Sequence, residues 1–208
     1  EIDADRILTI TFDAPDAAVN TMTAAWRRDF AAAAAQAVAD KDRIRGVVLA
    51  SAKPTFFAGA ALRHVLTLEA RDAVPGFHEI RETTAIYRTL ETFGRPVVSL
   101  VTGSALGGGW EVALIGHARF ALDDAKICFG MPEVTLGLIP GATGVTKTVR
   151  TLGLTGAQPY LLEGKLFGPR EALEIGWVDG LASTAEQLRA QALAWIDAHP
   201  DAVHPWDR

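Results

Sequence analysis

Two glutamates stand in glycine-bearing turns. Glu111 closes the run Gly103-Ser104-Ala105-Leu106-Gly107-Gly108-Gly109-Trp110-Glu111. Glu133 lies within Phe129-Gly130-Met131-Pro132-Glu133-Val134-Thr135-Leu136-Gly137-Leu138-Ile139-Pro140-Gly141. Both acids have apolar neighbours, where a carboxylate must find a partner or shift its pKa. Two such groups can serve as general acid and general base near neutral pH. Glycine has no Cβ, so these turns let backbone N–H groups come close to a ligand. Carboxylates beside bare N–H donors suit proton transfer next to a carbonyl.

Each feature also has a plainer meaning. Three glycines at 107–109 make a tight strand-to-helix turn, and Glu111 in the first turn of a helix starting at Gly108 favours the helix dipole whether or not it reacts. The same helix start offers free N–H groups to developing negative charge. Glu133 taken alone reads as an exposed loop acid. The pairing, together with Phe56-Phe57-Ala58-Gly59-Ala60 as a second source of backbone donors, favours chemistry.

The elements that must position these residues can be traced along the chain. Residues 7–12 alternate as a strand bounded by Asp13 and Pro15, and 22–40 read as a helix capped by Thr21 or Thr23. Short apolar strands fall at 46–50 and 97–101, with a loop at 51–60. A helix spans 77–93, stopped by Gly94 and Pro96. The glycine turn leads into a short helix at 108–116, and 118–122 and 127–129 read as strands. Helices then dominate, at 142–152, 155–163 and 169–175, before a strand at 178–182 and a helix at 184–198. Strands alternating with helices give an α/β (α+β) class.

Composition excludes several roles. The chain has 208 residues, with 20 basic and 25 acidic side chains for a net charge of −5. A chain of that length buries about 70% of its unfolded surface without disulfides. The single cysteine, Cys128, reads as inert core and fits a reducing, cytoplasmic compartment. The negative balance argues against nucleic acid and anionic membrane as partners. No apolar run approaches the ~20 residues of a membrane span. There is no dinucleotide or P-loop fingerprint, no zinc-ligand spacing and no nucleophile elbow. The five histidines are scattered and read as surface or packing residues.

At three segments the chain resembles the enoyl-CoA hydratase/isomerase (crotonase) superfamily. The matching text is Phe57-Ala58-Gly59-Ala60, then Ala105 to Glu111, then Pro132 to Gly141, in the family's order and spacing. The resemblance implies a coil of strand-strand-helix units over residues 1–183 and a CoA thioester substrate. It implies an oxyanion hole from the N–H groups of Ala60 and Gly108, with Glu111 activating water and Glu133 exchanging a proton with the α-carbon. Around the substrate it sets Ala58, Leu62, Arg63, Gly107, Trp110 and Gly141, with Gly141 near the reacting water; Arg63 either meets a CoA phosphate or stands exposed at a helix start, and Trp110 either floors the acyl pocket or packs in the core. Both glutamates present favour hydration of a trans-2-enoyl-CoA. Isomerisation of a 3-enoyl-CoA, or acyl-CoA binding without turnover, are the alternatives. The family often has Asp where Ala61 stands, and more glycine where Ala142 and Thr143 stand.

The ending Pro205-Trp206-Asp207 resembles the domain junction in the multifunctional α chain of the fatty-acid β-oxidation complex. That likeness implies that 184–208 lead into a further C-terminal part, with self-association and a thiolase subunit as partner. The segment itself needs no metal or cofactor beyond the CoA of its substrate; NAD would belong to the further part.

Overall fold

The computed structural model describes residues 1–208, except for the side chains of Leu62 and Arg63. A five-stranded parallel sheet organises the chain. It comprises β1 (Ile7–Phe12), β2 (Gly46–Ser51), β3 (Val97–Val101), β5 (Ala118–Leu122) and β7 (Gly180–Ala182), neighbours in that order. The strands missing from this series, β4 (Ala105–Leu106) and β6 (Phe129–Gly130), pair with each other in parallel. Isolated bridges Met22↔Ala60, Phe57↔Ala105 and Phe129↔Phe167 extend that second layer. Each of the first turns of the chain thus gives one segment to the main sheet, one to the second layer, and then a helix. This is the coil of strand-strand-helix units.

Both faces of the main sheet are covered, which is why β2 and β3 read as unbroken apolar runs. On one face Leu8, Ile10, Val47, Leu49, Val97, Val101 and Ala121 meet the large core under α1 (Ala24–Ala39) and α3 (Ala73–Thr92). On the other, Ile7, Val48, Val98, Leu100, Ala118 and Phe120 meet Leu188, Ala192 and Ile196 of α7 (Ala185–Ala198). The split follows the two-residue period of strands.

The helices begin where their caps allow. The Thr23 side chain accepts from the Trp26 N–H at 3.1 Å, and Phe30, Ala34 and Ala37 make one buried stripe on α1. The helix read at 77–93 starts a turn earlier, at Ala73. Pro75 does not interrupt it, because N–H groups in a first turn lack intrahelical acceptors anyway. The helices read at 142–152 and 155–163 form α5 (Gly144–Leu162), kinked at Gly153 with φ 72°. The short α4 (Gly108–Ala113), α2 (Leu62–Val65) and α6 (Pro169–Glu174) complete the set, with α4 ending three residues sooner than its sequence pattern suggested.

Because α7 covers a whole sheet face, it is integral to the core. A Cβ on Gly46 would lie 2.9 Å from the Ile196 side chain, so β2 and α7 are in close contact. Ile196→Ala is expected to lower unfolding free energy by about 2–5 kcal/mol in urea titrations followed by circular dichroism.

Candidate active site

The site begins at a close approach of two glycines. Gly59 has φ 87°, and a Cβ there would stand 2.6 Å from the Leu106 carbonyl and 3.2 Å from the Gly108 nitrogen. Only glycine fits, and the contact brings the loop before Ala60 against the start of α4. Neither the Ala60 nor the Gly108 N–H finds a backbone acceptor among the described residues. Asn20 holds this loop. Buried in full, it donates to the carbonyls of Phe12 and Phe56, accepts from the Ala14 N–H at 3.0 Å, and offers its own carbonyl to Ala58 at 2.9 Å.

Glu111 lies in the first turn of α4 and is 2% exposed. Its Oε1 accepts three N–H groups, from Ala142 and Thr143 at 2.9 Å and from Gly144 at 2.7 Å. These donors form the start of α5, where N–H groups have no helical partner of their own. Burial raises the Glu111 pKa above the ordinary carboxylate value, and the three N–H groups and the Lys147 charge pull against it. With Oε1 taken, Oε2 is left for a substrate.

Glu133 sits in the 3₁₀ turn Pro132–Leu136, which ends at left-handed Gly137 with φ 71°. Its Oε1 lies only 2.6 Å from where a Cβ on Gly107 would stand, and its Oε2 is buried without a hydrogen-bond partner among the described residues. Burial first, then the Glu111 charge, pushes its pKa up to about 7. Two carboxyl groups so different in bonding differ in their readiness to hold a proton.

One cleft of about 550 Å³ joins Ala60, Gly108, Glu111, Glu133 and Gly141. Met22, Val65, Leu68, Ile80, Leu138 and Ile139 give it apolar walls, and Arg27 pairs with Glu79 at its edge at 3.2 Å. An apolar groove with a few convergent polar groups is what a small-molecule site looks like.

Comparisons with known proteins agree with this geometry. The family model described as "Enoyl-CoA hydratase/isomerase" matches residues 3–202. The chain belongs to the enoyl-CoA hydratase/isomerase family. Among solved structures, the enoyl-CoA hydratase of Bacillus anthracis superposes with a TM-score of 0.79 at 25% identity, covering 93% of this chain and 72% of that one. A Geobacillus kaustophilus HTA426 enoyl-CoA hydratase gives a TM-score of 0.81 at 26% identity, over 95% of this chain and 72% of that one. The enoyl-CoA hydratase of Thermoplasma volcanium, at 24% identity and a TM-score of 0.79 over 93% of this chain and 73% of that one, shows the shared fold. The fold is therefore the crotonase fold, the chain is an enzyme of that superfamily, and its reaction is of crotonase type on an acyl-CoA. No helix among the described residues is long and apolar enough to cross a membrane.

The structure does not bring every expected residue to the cleft. Trp110 is fully buried and stacks on Phe129 at 4.8 Å, beside Phe167 and Trp177. On a six-residue helix, neighbours 110 and 111 point to different sides, so the residue next to Glu111 faces the core. Ala58 is exposed and lies outside the cleft lining, with its N–H given to Asn20. Gly107 acts beneath Glu133, with φ 54° and its N–H given to Gly130 at 2.8 Å. The side chains of Leu62 and Arg63 lie outside the described residues; their neighbours Ala61, His64 and Val65 line the cleft. Cys128 is half-buried beside Ser104, rather than in the core.

Other residues emerged only from the fold. The α3 face carrying Glu79, Ile80 and Thr83 walls the cleft, although its periodicity predicted nothing but a buried stripe. Ala142 and Thr143 stand out in the sequence only as departures from glycine, yet their N–H groups hold Glu111, because a backbone donor does not depend on its side chain. Asn20 carried no motif, though a lone Asn between a strand and a helix cap is a signal for side-chain to backbone bonding.

The raised pKa of Glu133 has a consequence for stability. Below the unfolded value of 4.5 both states carry the proton, whereas between 4.5 and about 7 the folded state holds it more tightly. Stability from this group is therefore present at low pH and lost as pH rises through about 7. Glu133→Gln is expected to melt above the wild type at pH 8, with the gap closing towards pH 5, in calorimetry at both pH values.

Proposed function

We propose that the enzyme hydrates trans-2-enoyl-CoA to 3-hydroxyacyl-CoA, reversibly and with syn geometry, as a lyase of fatty-acid β-oxidation. The observation that carries this reading is the convergence of Glu111, Glu133 and the Ala60 and Gly108 N–H groups on one cleft. The thioester oxygen would sit on the two N–H groups, which stabilise its negative charge as the enolate forms. Glu111 takes a proton from water as the water oxygen bonds to C3. Glu133 gives its proton to C2, and the enolate electrons return to form that C–H bond. Water's second hydrogen stays on the new hydroxyl, so the carboxyl pair ends with the one proton it began with. No cofactor takes part beyond the CoA carried by the substrate.

The asymmetry of the two acids supports these roles. Glu111 already accepts three N–H groups and is held as an acceptor. Glu133, with a free buried oxygen and a pKa of about 7, can carry a proton at neutral pH. That same property favours a second reading, transfer of a proton between C4 and C2 by Glu133 in a 3-enoyl-CoA.

Crotonyl-CoA hydration, followed as loss of the conjugated absorbance, decides between them. Glu111→Gln and Glu133→Gln should each lower kcat by about 10²–10⁴. Survival of 3-enoyl isomerisation in Glu111→Gln, alongside a wild type that does not hydrate, would favour the second reading. The active form carries one proton over two acids, and hydration neither consumes nor releases protons. Plots of kcat/KM against pH should therefore share one bell shape in both directions, descending near the Glu133 value of about 7.

A further inference from the structure

Helices α4 and α5 are clamped together twice, in opposite senses. The Glu111 side chain of α4 holds the N–H groups at the start of α5. The Lys147 side chain of α5, one turn on, donates to the Leu114 carbonyl that caps α4, at 2.6 Å. Lys147 is 3% exposed and also bonds the carboxylate of Glu91, which is 1% exposed on α3. The other Glu91 oxygen takes Arg88, and Arg88 is held by both oxygens of Asp207 at 2.7 and 3.1 Å. A row of alternating charges thus runs from Asp207 through Arg88 and Glu91 to Lys147, whose charge Glu111 feels.

A bare hydrophobic contact would join the helices as well, and replacing a buried ion pair by apolar groups is often neutral for stability. The ion pair does what an apolar contact cannot. It fixes direction, and it leaves a positive charge beside an acid that burial would otherwise neutralise. Other titratable groups face the same place. Tyr87, fully buried with no hydroxyl partner among the described residues, feels both Glu111 and Glu91. The Arg119 charge lowers the Lys147 pKa, Lys147 in turn helps lower that of His204, and His117 bonds the Glu91 carbonyl at 3.0 Å. Val97 donates to His117 Nδ1, so the other ring nitrogen carries the hydrogen and the ring is neutral. Burial lowers the Lys147 pKa to about 8, while Glu91 and Glu111 draw it back up.

We propose that Lys147 is a positioning residue for Glu111: bonded to Glu91 and to the Leu114 carbonyl, it fixes the first turn of α5, and with it the three N–H groups that hold the Glu111 carboxylate. The role rests on the hydration reading above only in so far as Glu111 is the base. Lys147 touches no substrate. It acts through the place and charge of another side chain.

Two variants test this: Lys147→Met, and Glu91→Gln/Lys147→Met, which removes both charges and leaves no ion buried alone. Each is checked for cooperative unfolding, then assayed with crotonyl-CoA. In parallel the Glu111 carboxyl carbon is titrated by ¹³C NMR, assigned by its loss in Glu111→Gln. Expected is a double variant that folds, with kcat reduced on the order of 10²-fold and KM changed by no more than about threefold. The Glu111 resonance should move in both variants, and its titration midpoint should rise in Lys147→Met. A folded variant with wild-type kcat overturns the proposal. So does lowered kcat with an unmoved Glu111 resonance, and so does loss of the fold in both variants, which would make Lys147 a general stability residue. Should the wild type fail to hydrate crotonyl-CoA, the hydration reading falls while the resonance still decides the role of Lys147.

Discussion

A carboxylate in the protein interior must be bonded or give up its charge, and the bonding of Glu111 organises much of the molecule. Three N–H groups converge on one of its oxygens, all from the start of α5. Helix starts have free donors that would be costly to bury unpaired. The acid and the helix thus satisfy each other, and neither α4 nor α5 can shift without breaking several bonds at once. The Lys147 bond to the Leu114 carbonyl answers it from the opposite side. Rigidity at this joint is what a pre-arranged proton acceptor needs.

Glu133 is the counterpart, held by contact with Gly107 and short of one hydrogen bond. A buried carboxyl oxygen without a partner is a cost to the folded state, and such costs gather where a protein does chemistry. The N–H groups of Ala60 and Gly108, without a backbone acceptor among the described residues, belong to the same pattern. The surroundings are correspondingly well satisfied: Asn20 uses its whole amide, and the Trp110, Phe129, Phe167 and Trp177 rings fill the volume behind α4. Stiff packing behind the site lets strained or unpaired groups persist in front of it.

Much of this was legible in the residues. Strands at 7–12, 97–101 and 118–122 appear as read, and of the two caps offered for α1 the structure uses Thr23, because alternation and capping are local and the sheet is buried on both sides. The glycine turns are legible as close approaches, and the segments 57–60, 105–111 and 132–141 together carry the family likeness. Two-residue strands such as β4 and β6 are harder, since so few residues show no period; the strand expected at 127–129 begins two residues later, at Phe129, and β4 has no counterpart in the sequence reading. Trp110 beside Glu111 looked like a site residue, yet adjacent positions on a helix face apart.

The sequence by itself determined the longer secondary elements, the glycines that permit close backbone contact, and the two acids available for proton transfer, because each depends on a residue and its immediate neighbours. The tertiary structure alone decided which N–H groups hold Glu111, which oxygen of Glu133 has no partner among the described residues, that α3 walls the cleft, and that Lys147 bonds Glu91 and the Leu114 carbonyl. Those facts join residues 31 to 56 positions apart. Hydrogen bonding and desolvation act through space over a few ångströms, and no pattern along the chain records which distant groups the coil brings within that range.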